Sequence, residues 1–169
     1  MGVTASVCTE ARSRISSWHQ SVNILIIGEC GHGKSSFINT MYFALTENRS
    51  TLIALTRNHP EFLLGAQYCR HDFHQNELVF YDTPGCSFST EKEKQILKKI
   101  IHGIEPMHDM SWSDVDHFTE NINNRIDYVI WVVNATTVIG QSTDIDSIMY
   151  FKEISDLVQS RCSTGMKKI

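Results

Sequence analysis

The chain has 169 residues, of which 41% are hydrophobic and 20% are charged, and its formal net charge at pH 7 is −4. This length predicts one domain, and the composition is that of an ordinary globular protein. The slightly acidic balance disfavours a nucleic-acid-binding surface, and no apolar run reaches the roughly 18 residues that a membrane helix needs. The five cysteines are scattered without C-x-x-C spacing, so we expect reduced thiols rather than disulfides or zinc ligands.

Residues 1–21 are polar and are predicted to form an N-terminal extension. The chain begins MGVTAS, which matches the M-G-x-x-x-[ST] pattern of myristoylation at Gly2. The same letters also arise without any lipid, and a single myristoyl chain binds membranes only marginally. We therefore expect membrane contact only if Gly2 is myristoylated.

The first stretch with a chemical signature is VNILIIGECGHGKSSFIN, residues 22–39. An apolar strand is predicted at 22–27, and a helix is predicted at about 34–46. The turn between them matches G-x-x-x-x-G-K-[ST], the phosphate-binding loop. Glycines let backbone N–H groups approach phosphate oxygens closely, and the N-terminus of the helix attracts the same anion.

The residue types in this loop predict individual roles. We expect Lys34 to reach the β- and γ-phosphates of a nucleoside triphosphate, where it has a catalytic role, and Ser35 to place its hydroxyl on Mg²⁺. The predicted phosphate-contacting residues of the loop are Gly28, Cys30, Gly31, His32, Gly33, Lys34, Ser35 and Ser36.

The polar segment 47–60, ENRSTLIALTRNHP, interrupts the pattern of strands and helices. In phosphate-loop switch proteins a loop at this place supplies a threonine to the Mg²⁺-bound triphosphate. Thr51 and Thr56 are the two candidates for this catalytic role, and the sequence does not choose between them. The ordinary polarity of a surface loop explains both threonines equally well.

A second strand is predicted at 62–73 and a third at 77–81. The third strand runs directly into the tetrapeptide DTPG, residues 82–85, which has the pattern D-x-x-G. A strand-ending turn is the plain interpretation of such a pattern. Its position after a strand, well downstream of the phosphate loop, favours a functional interpretation.

In this functional interpretation, Asp82 stands at a strand tip beside the phosphate loop, where its carboxylate can hold Mg²⁺ together with Ser35. Gly85 can turn its N–H toward the γ-phosphate, so that the following loop senses whether this phosphate is present. Cys86 stands where many switch enzymes carry a glutamine that orients water. Either another residue orients the water, or hydrolysis is slow.

The rest of the chain continues the alternation of strand and helix. Thr90 and Glu93 predict a capping box at the start of a helix, a fourth strand is predicted at 127–133, and a further helix runs to about residue 158. This alternation predicts an α/β fold with three α/β/α layers and a mostly parallel sheet. The ligand should lie at the carboxyl ends of the strands.

The combination of GECGHGKSSFIN with DTPG resembles the dynamin-like and septin-like GTPases of the phosphate-loop class, and it resembles the interferon-induced protein 44 family more closely. The later stretches ILKKIIHGIEPMHDM, NNRIDYVIWVVNATT and FKEISDLVQ add to the second resemblance. The likeness covers about residues 22–162. It implies a P-loop NTPase (G-domain) fold, GTP and Mg²⁺ as cofactors, a cytoplasmic location and a link to interferon-induced or innate antiviral responses.

The sequence departs from this class in one respect. Guanine selectivity in the class comes from an Asn-Lys-x-Asp-like or Thr-x-x-Asp-like motif after the next strand, and neither motif occurs here. We therefore expect a partial G domain at 22–163, incomplete at its C-terminus, followed by a tail at 164–169. The expected strand order, 2-3-1-4, then leaves the fourth strand at an edge, which predicts poor solubility.

Two functions remain open at this point. The first is a guanine-nucleotide-binding switch protein that hydrolyses GTP slowly. The second is a nucleotide-binding scaffold without hydrolysis, which Cys86 and the missing base-reading motif favour. A small-molecule kinase is disfavoured, because such enzymes usually lack a glycine switch at the DTPG position. The expected partner is a guanine nucleotide, and a protein partner or self-association is left open.

Overall fold

The structure, a computed structural model, describes residues 9–10, 13, 21–48, 50–54, 68–73, 77–85, 90–104, 121–134, 149 and 151–159. Within these ranges the strands are β1 (Val22–Ile27), β2 (Cys69–Phe73), β3 (Leu78–Asp82) and β4 (Tyr128–Trp131). The helices are α1 (Lys34–Thr46) and α2 (Glu91–Ile101), with a 3-10 turn at Ile122–Asn124. Residues 151–159 are also helical.

The four strands form one sheet in the order β2-β3-β1-β4, which is the predicted order. β1 pairs in parallel with both β3 and β4, while β2 runs antiparallel to β3. In the register of these pairs, Ile26 of β1 lies opposite Asp82 and also opposite Ile130. The carboxyl end of β1, from which the phosphate loop departs, therefore lies beside the carboxyl end of β3.

Helices cover the two faces of this sheet. On one face Ile38 and Leu45 of α1 pack with Ile26, Phe73 and Phe80. On the other face the core joins sheet residues to α2 and to the helical segment 151–159; its fully buried members include Leu25, Ile27, Tyr81, Ile96, Leu97, Ile100, Ile101 and Ile154. The alternation of side chains along each strand divides the sheet in this way. The predicted α/β fold with three layers and a mostly parallel sheet is confirmed.

Local signals explain where the helices begin. The N-cap of α1 is Gly33, whose φ is 95°. The predicted capping box of α2 is present, because Thr90 Oγ1 accepts the Glu93 N–H at 3.2 Å and Glu93 Oε2 accepts the Thr90 N–H at 3.4 Å. Such a box satisfies two backbone donors that the helix itself leaves unpaired.

The boundaries of β2, β3 and β4 differ from the predicted ones, and β3 and β4 each begin one residue later, at Leu78 and Tyr128. β2 is observed at Cys69–Phe73, and the predicted residues 62–67 lie outside the described ones. β3 includes Asp82, because this residue still pairs with Ile26 of β1. β4 ends at Trp131 rather than at residue 133, because its pairing with β1 ends at Ile27. Among the described residues, no helix combines the length and apolarity needed to cross a membrane.

Candidate functional site: a phosphate loop beside a buried aspartate

The turn between β1 and α1 follows a path that requires glycine at both of its ends. Gly28 has a φ of 149°, and a Cβ at this position would lie 2.2 Å from the carbonyl oxygen of Val132. Gly33, at φ 95°, is in the left-handed region that L side chains rarely adopt. The two glycines of the G-x-x-x-x-G spacing thus stand where this backbone disfavours a side chain, as does Gly31 between them at φ 82°, and α1 begins directly after Gly33.

Lys34, the first residue of α1, folds back over the loop. Its Nζ donates to the carbonyl oxygens of Gly28 at 3.0 Å and Glu29 at 3.1 Å, and only 7% of the residue is exposed. The structure therefore holds a positive charge within the predicted phosphate loop. The described hydrogen bonds of the Lys34 ammonium go to these two carbonyl oxygens and do not test a contact with phosphate. The predicted contact of Lys34 with phosphate oxygens therefore stays a prediction.

Ser35 and Asp82, the two predicted metal ligands, lie in direct contact. Ser35 Oγ donates to Asp82 Oδ2 at 2.7 Å, although the residues are 47 positions apart. Burial raises the pKa of Asp82 from 3.8 to about 6, while the Ser35 hydrogen bond and the Lys34 charge act in the opposite direction. Burial has the largest effect on this pKa, because the loss of hydration destabilises the carboxylate more than the Ser35 hydrogen bond and the Lys34 charge stabilise it.

The second carboxylate oxygen of Asp82 gives the metal prediction a structural test. Within the described part of the chain, Asp82 Oδ1 is buried and has no hydrogen-bond partner. A buried anionic oxygen without a partner is costly, and a cation would satisfy it. The Ser35 hydroxyl and the Asp82 carboxylate are hard oxygen donors of the kind that Mg²⁺ selects. These two residues therefore fit the magnesium site that the sequence predicts.

The DTPG segment after β3 is fastened to β1 and touches the loop. Thr83 Oγ1 donates to the Ile26 carbonyl oxygen at 2.9 Å. Gly85 lies directly against Cys30, since a Cβ on Gly85 would meet the Cys30 backbone nitrogen and Cα, each at 2.5 Å. The structure thus brings the two sequence motifs together, with the glycine of the second packed on the backbone of the first.

The other predicted residues of the loop lie around this contact. Cys30, Gly31 and Ser36 are exposed, and Ser36 contributes its carbonyl oxygen to a hydrogen bond from Thr40 Oγ1 at 2.9 Å. The His32 side chain is largely buried, and its Nε2 lies 3.4 Å from Glu29 Oε2. Within the loop the side chain of Cys30 is therefore exposed, whereas the side chains of His32 and Lys34 are largely buried.

Of the two candidate threonines, only Thr51 lies among the described residues. Thr51 is exposed, and its Oγ1 accepts a hydrogen bond from Asn48 Nδ2 at 3.2 Å. Thr56 lies outside the described residues. The catalytic role of either threonine stays a prediction.

Asn39 of α1 is a site-flanking residue that the sequence patterns did not single out. Only 3% of it is exposed, and its side chain bonds to the backbone of Ile53 and Ala54. In the sequence it is one polar residue among the apolar positions of a helix. A buried polar side chain in such a place needs a partner, but the identity of this partner is a long-range property that the helical pattern does not contain.

Comparison with known proteins adds the family. No curated protein matches the chain significantly. The family model of the 50S ribosome-binding GTPases matches residues 23–159, a range that contains all of the sheet except Val22, together with the phosphate loop and the DTPG segment. A GTPase domain implies guanine-nucleotide binding. The chain therefore belongs to the 50S ribosome-binding GTPase family.

Proposed function

We propose that this protein is a Mg²⁺-dependent GTP-binding switch that hydrolyses GTP slowly. The observation that carries the proposal is the 2.7 Å contact between Ser35 of the phosphate loop and Asp82 of the D-x-x-G segment. An ordinary glycine turn would not require a contact between these two motifs. Their meeting at the carboxyl ends of β1 and β3 is the arrangement that Mg²⁺-triphosphate binding needs.

The residues of the loop divide the work of binding. The backbone N–H groups of the turn and of the first turn of α1 bind phosphate oxygens. Lys34 moves its ammonium from the carbonyls of Gly28 and Glu29 toward the β- and γ-phosphates. Ser35 and Asp82 hold Mg²⁺, which neutralises the charge that develops between these phosphates when it is bound.

Gly85 is the residue that reports on the γ-phosphate. This role is supported by its place in the structure, because its backbone lies against Cys30 of the phosphate loop. The segment after Gly85 then takes one position with GTP and another with GDP, which is the usual basis of a nucleotide switch.

A second candidate function is a nucleotide-binding scaffold that does not hydrolyse GTP. It is favoured by Cys86, which follows Gly85 in the sequence and whose thiol is a weaker hydrogen-bonding group than an amide. Hydrolysis then depends on another group that orients the attacking water, and without such a group the bound GTP persists.

The biological setting is proposed from the resemblance to the interferon-induced protein 44 family. It places the protein in the cytoplasm, in interferon-induced or innate antiviral responses. The open edge of β4 among the described strands supports a protein partner or self-association. Contact with a membrane depends on myristoylation of Gly2.

Binding of fluorescent GTP and ATP analogues tests the nucleotide proposal. We expect the GTP analogue to bind more tightly in the presence of Mg²⁺, and Lys34→Ala to lose most of this affinity. Lys92→Ala is the matched control, because Lys92 is an exposed lysine on α2, away from the loop. If Lys34→Ala binds as well as the wild type, the phosphate-loop proposal is wrong.

Single-turnover phosphate release separates the two candidate functions. A slow release of phosphate that requires Mg²⁺ supports the GTPase. Stable binding without release over many hours supports the scaffold. Asp82→Ala should abolish the Mg²⁺ dependence of binding in either case, since Asp82 supplies the charged ligand.

A further inference from the structure

The side chain of Asn39 is bonded at both of its polar atoms to one short stretch of backbone. Asn39 Oδ1 accepts the Ile53 N–H at 2.9 Å and the Ala54 N–H at 3.0 Å. Asn39 Nδ2 donates to the Ala54 carbonyl oxygen at 2.8 Å. With 3% of Asn39 and 1% of Ala54 exposed, these bonds lie away from water. They fasten the loop after α1 to the middle of α1.

The place of Asn39 on α1 links this loop to the metal ligands. Asn39 follows Ser35 by four residues, so both side chains lie on the same side of the helix, one turn apart. Ser35 contacts Asp82, and Asn39 contacts the loop. One rigid helical turn thus fixes the distance between the Ser35–Asp82 pair and the backbone at residues 53–54.

Both candidate threonines lie close in sequence to the fastened stretch. Thr51 precedes Ile53 by two residues, and Thr56 follows Ala54 by two residues. Two residues of extended chain span at most about 7 Å. Whichever of the two threonines approaches the triphosphate, its backbone must therefore lie within about 7 Å of the residues that Asn39 holds, Ile53 and Ala54.

We infer that Asn39 is a positioning residue for the GTP-bound state, which holds the threonine-bearing loop at a fixed distance from the Ser35–Asp82 pair. The inference rests on the proposed function, because it concerns the same nucleotide site. Asn39 touches neither phosphate nor metal in this role; it acts through the backbone of Ile53 and Ala54. Without the Asn39 side chain, the loop can adopt a wider range of positions. Ordering the loop so that its threonine contacts the γ-phosphate then costs more conformational entropy.

A purely structural role for Asn39 makes a different prediction. If the three hydrogen bonds only stabilised the fold, their loss would weaken the binding of every nucleotide alike. A positioning role weakens the binding of a triphosphate more than that of a diphosphate, because only the triphosphate engages the loop threonine. The ratio of the two affinities therefore separates the roles.

The experiment measures the dissociation constants of GTPγS and GDP, both with Mg²⁺, for the wild type, Asn39→Ala and Asn23→Ala. Asn23 is the matched control, since it is also a buried asparagine, and its Nδ2 donates to the backbone carbonyls of Asn123 and Arg125. It lies near the start of β1, at the end of this strand that is farther from the phosphate loop. We expect Asn39→Ala to lower the GTPγS preference about tenfold, which corresponds to the loss of one to two net hydrogen bonds. Asn23→Ala should keep the wild-type ratio.

Amide hydrogen exchange provides a readout that does not depend on nucleotide. In Asn39→Ala the amides of Ile53 and Ala54 lose their acceptor, so their exchange should accelerate in the absence of nucleotide. If Asn39→Ala does not melt cooperatively, Asn39→Asp is measured instead. It retains the acceptor for both N–H groups, but its carboxylate cannot donate to the Ala54 oxygen and is repelled by it, so the GTPγS preference should fall in this variant as well.

The outcomes are distinct. A lowered ratio together with faster exchange supports the inference. An unchanged ratio in a folded Asn39 variant, or unchanged exchange at both amides, overturns it and leaves the proposed function intact. If the wild type binds neither nucleotide, the proposed function is wrong, and the inference falls with it.

Discussion

Asp82→Asn should stabilise this protein at neutral pH while it weakens Mg²⁺-dependent nucleotide binding. The buried carboxylate of Asp82 accepts one hydrogen bond from Ser35 and leaves its other oxygen, among the described residues, without a partner. Its pKa is raised from 3.8 to about 6, with burial as the largest cause. The folded protein therefore holds a proton on Asp82 more strongly than the unfolded chain does.

The sign and the size of the effect follow from this difference. The contribution of Asp82 to the free energy of unfolding is fully present below pH 3.8 and is lost as the pH rises through about 6. One pKa unit corresponds to about 1.4 kcal/mol, so the loss amounts to about 3 kcal/mol. Asparagine has no proton to lose and escapes this penalty.

The assay is urea denaturation of both proteins, in chelator and without nucleotide, at pH 4 and at pH 7. The pH dependence of the wild type alone is not informative, because the pKa of His71 is lowered to about 4 by burial and changes stability in the opposite direction. The difference between variant and wild type cancels His71 and all other groups that both proteins share. Because part of the effect is already present at pH 4, we expect this difference to move by about 2.4 kcal/mol in favour of Asp82→Asn between pH 4 and pH 7.

A difference that stays constant between the two pH values would refute the reasoning. It would mean that Asp82 has the same proton affinity in the folded and unfolded states, and therefore that its environment is not desolvated. A constant offset at both pH values carries no such meaning, because it reports how well the new amide is hydrogen-bonded.

Three further predictions concern other parts of the fold. Gly85→Ala should lower the free energy of unfolding by about 1–3 kcal/mol and weaken GTP binding, because its Cβ would lie 2.5 Å from backbone atoms of Cys30; an unchanged urea midpoint contradicts the contact. When the pH falls from 6.5 to 4, His71→Gln should lose about 3 kcal/mol less stability than the wild type, because glutamine has no imidazole to protonate. The same urea denaturation series checks this, and an equal loss in both proteins argues against a desolvated imidazole. Thr90→Ala should cost about 1 kcal/mol, whereas Thr90→Ser retains the cap to Glu93; equal melting temperatures of the two variants would count against the capping box.

Much of the fold could be predicted because its signals are local. The apolar run before the phosphate loop, the glycine spacing and the capping box at Thr90 each depend on a few neighbouring residues. The strand order followed from the fold class that these elements indicate, and the sheet confirms it. The sequence also predicts that Ser35 and Asp82 lie at the same edge of the sheet, since both follow strands that are adjacent in such a fold, but it does not predict the direct hydrogen bond between them.

The features that sequence reasoning missed depend on long-range contacts. Asn39 reads as a polar residue in a helix, and only the folded chain shows that residues 53–54 lie beside it. The pattern of the strand CRHDF does not predict the desolvation of His71, which stands between the charged residues Arg70 and Asp72. The desolvation of Asp82 similarly arises from the layers packed above and below the sheet, not from the letters D-T-P-G.

The central position of β1 has a consequence for the way this protein is made. β1 leaves the translation machinery first, but both of its neighbours, β3 and β4, are encoded later. Asn23 at its start bonds to Asp127, 104 positions downstream, and synthesis at about 5–20 residues per second separates the two by about 5–20 s. Until β3 has emerged, Leu25, Ile26 and Ile27, all fully buried in the finished sheet, have no partner strand, and the side of β1 that pairs with β4 stays open for the whole interval. Until residue 131 has emerged, the nascent chain therefore stays soluble only if it aggregates slowly or is protected by a chaperone.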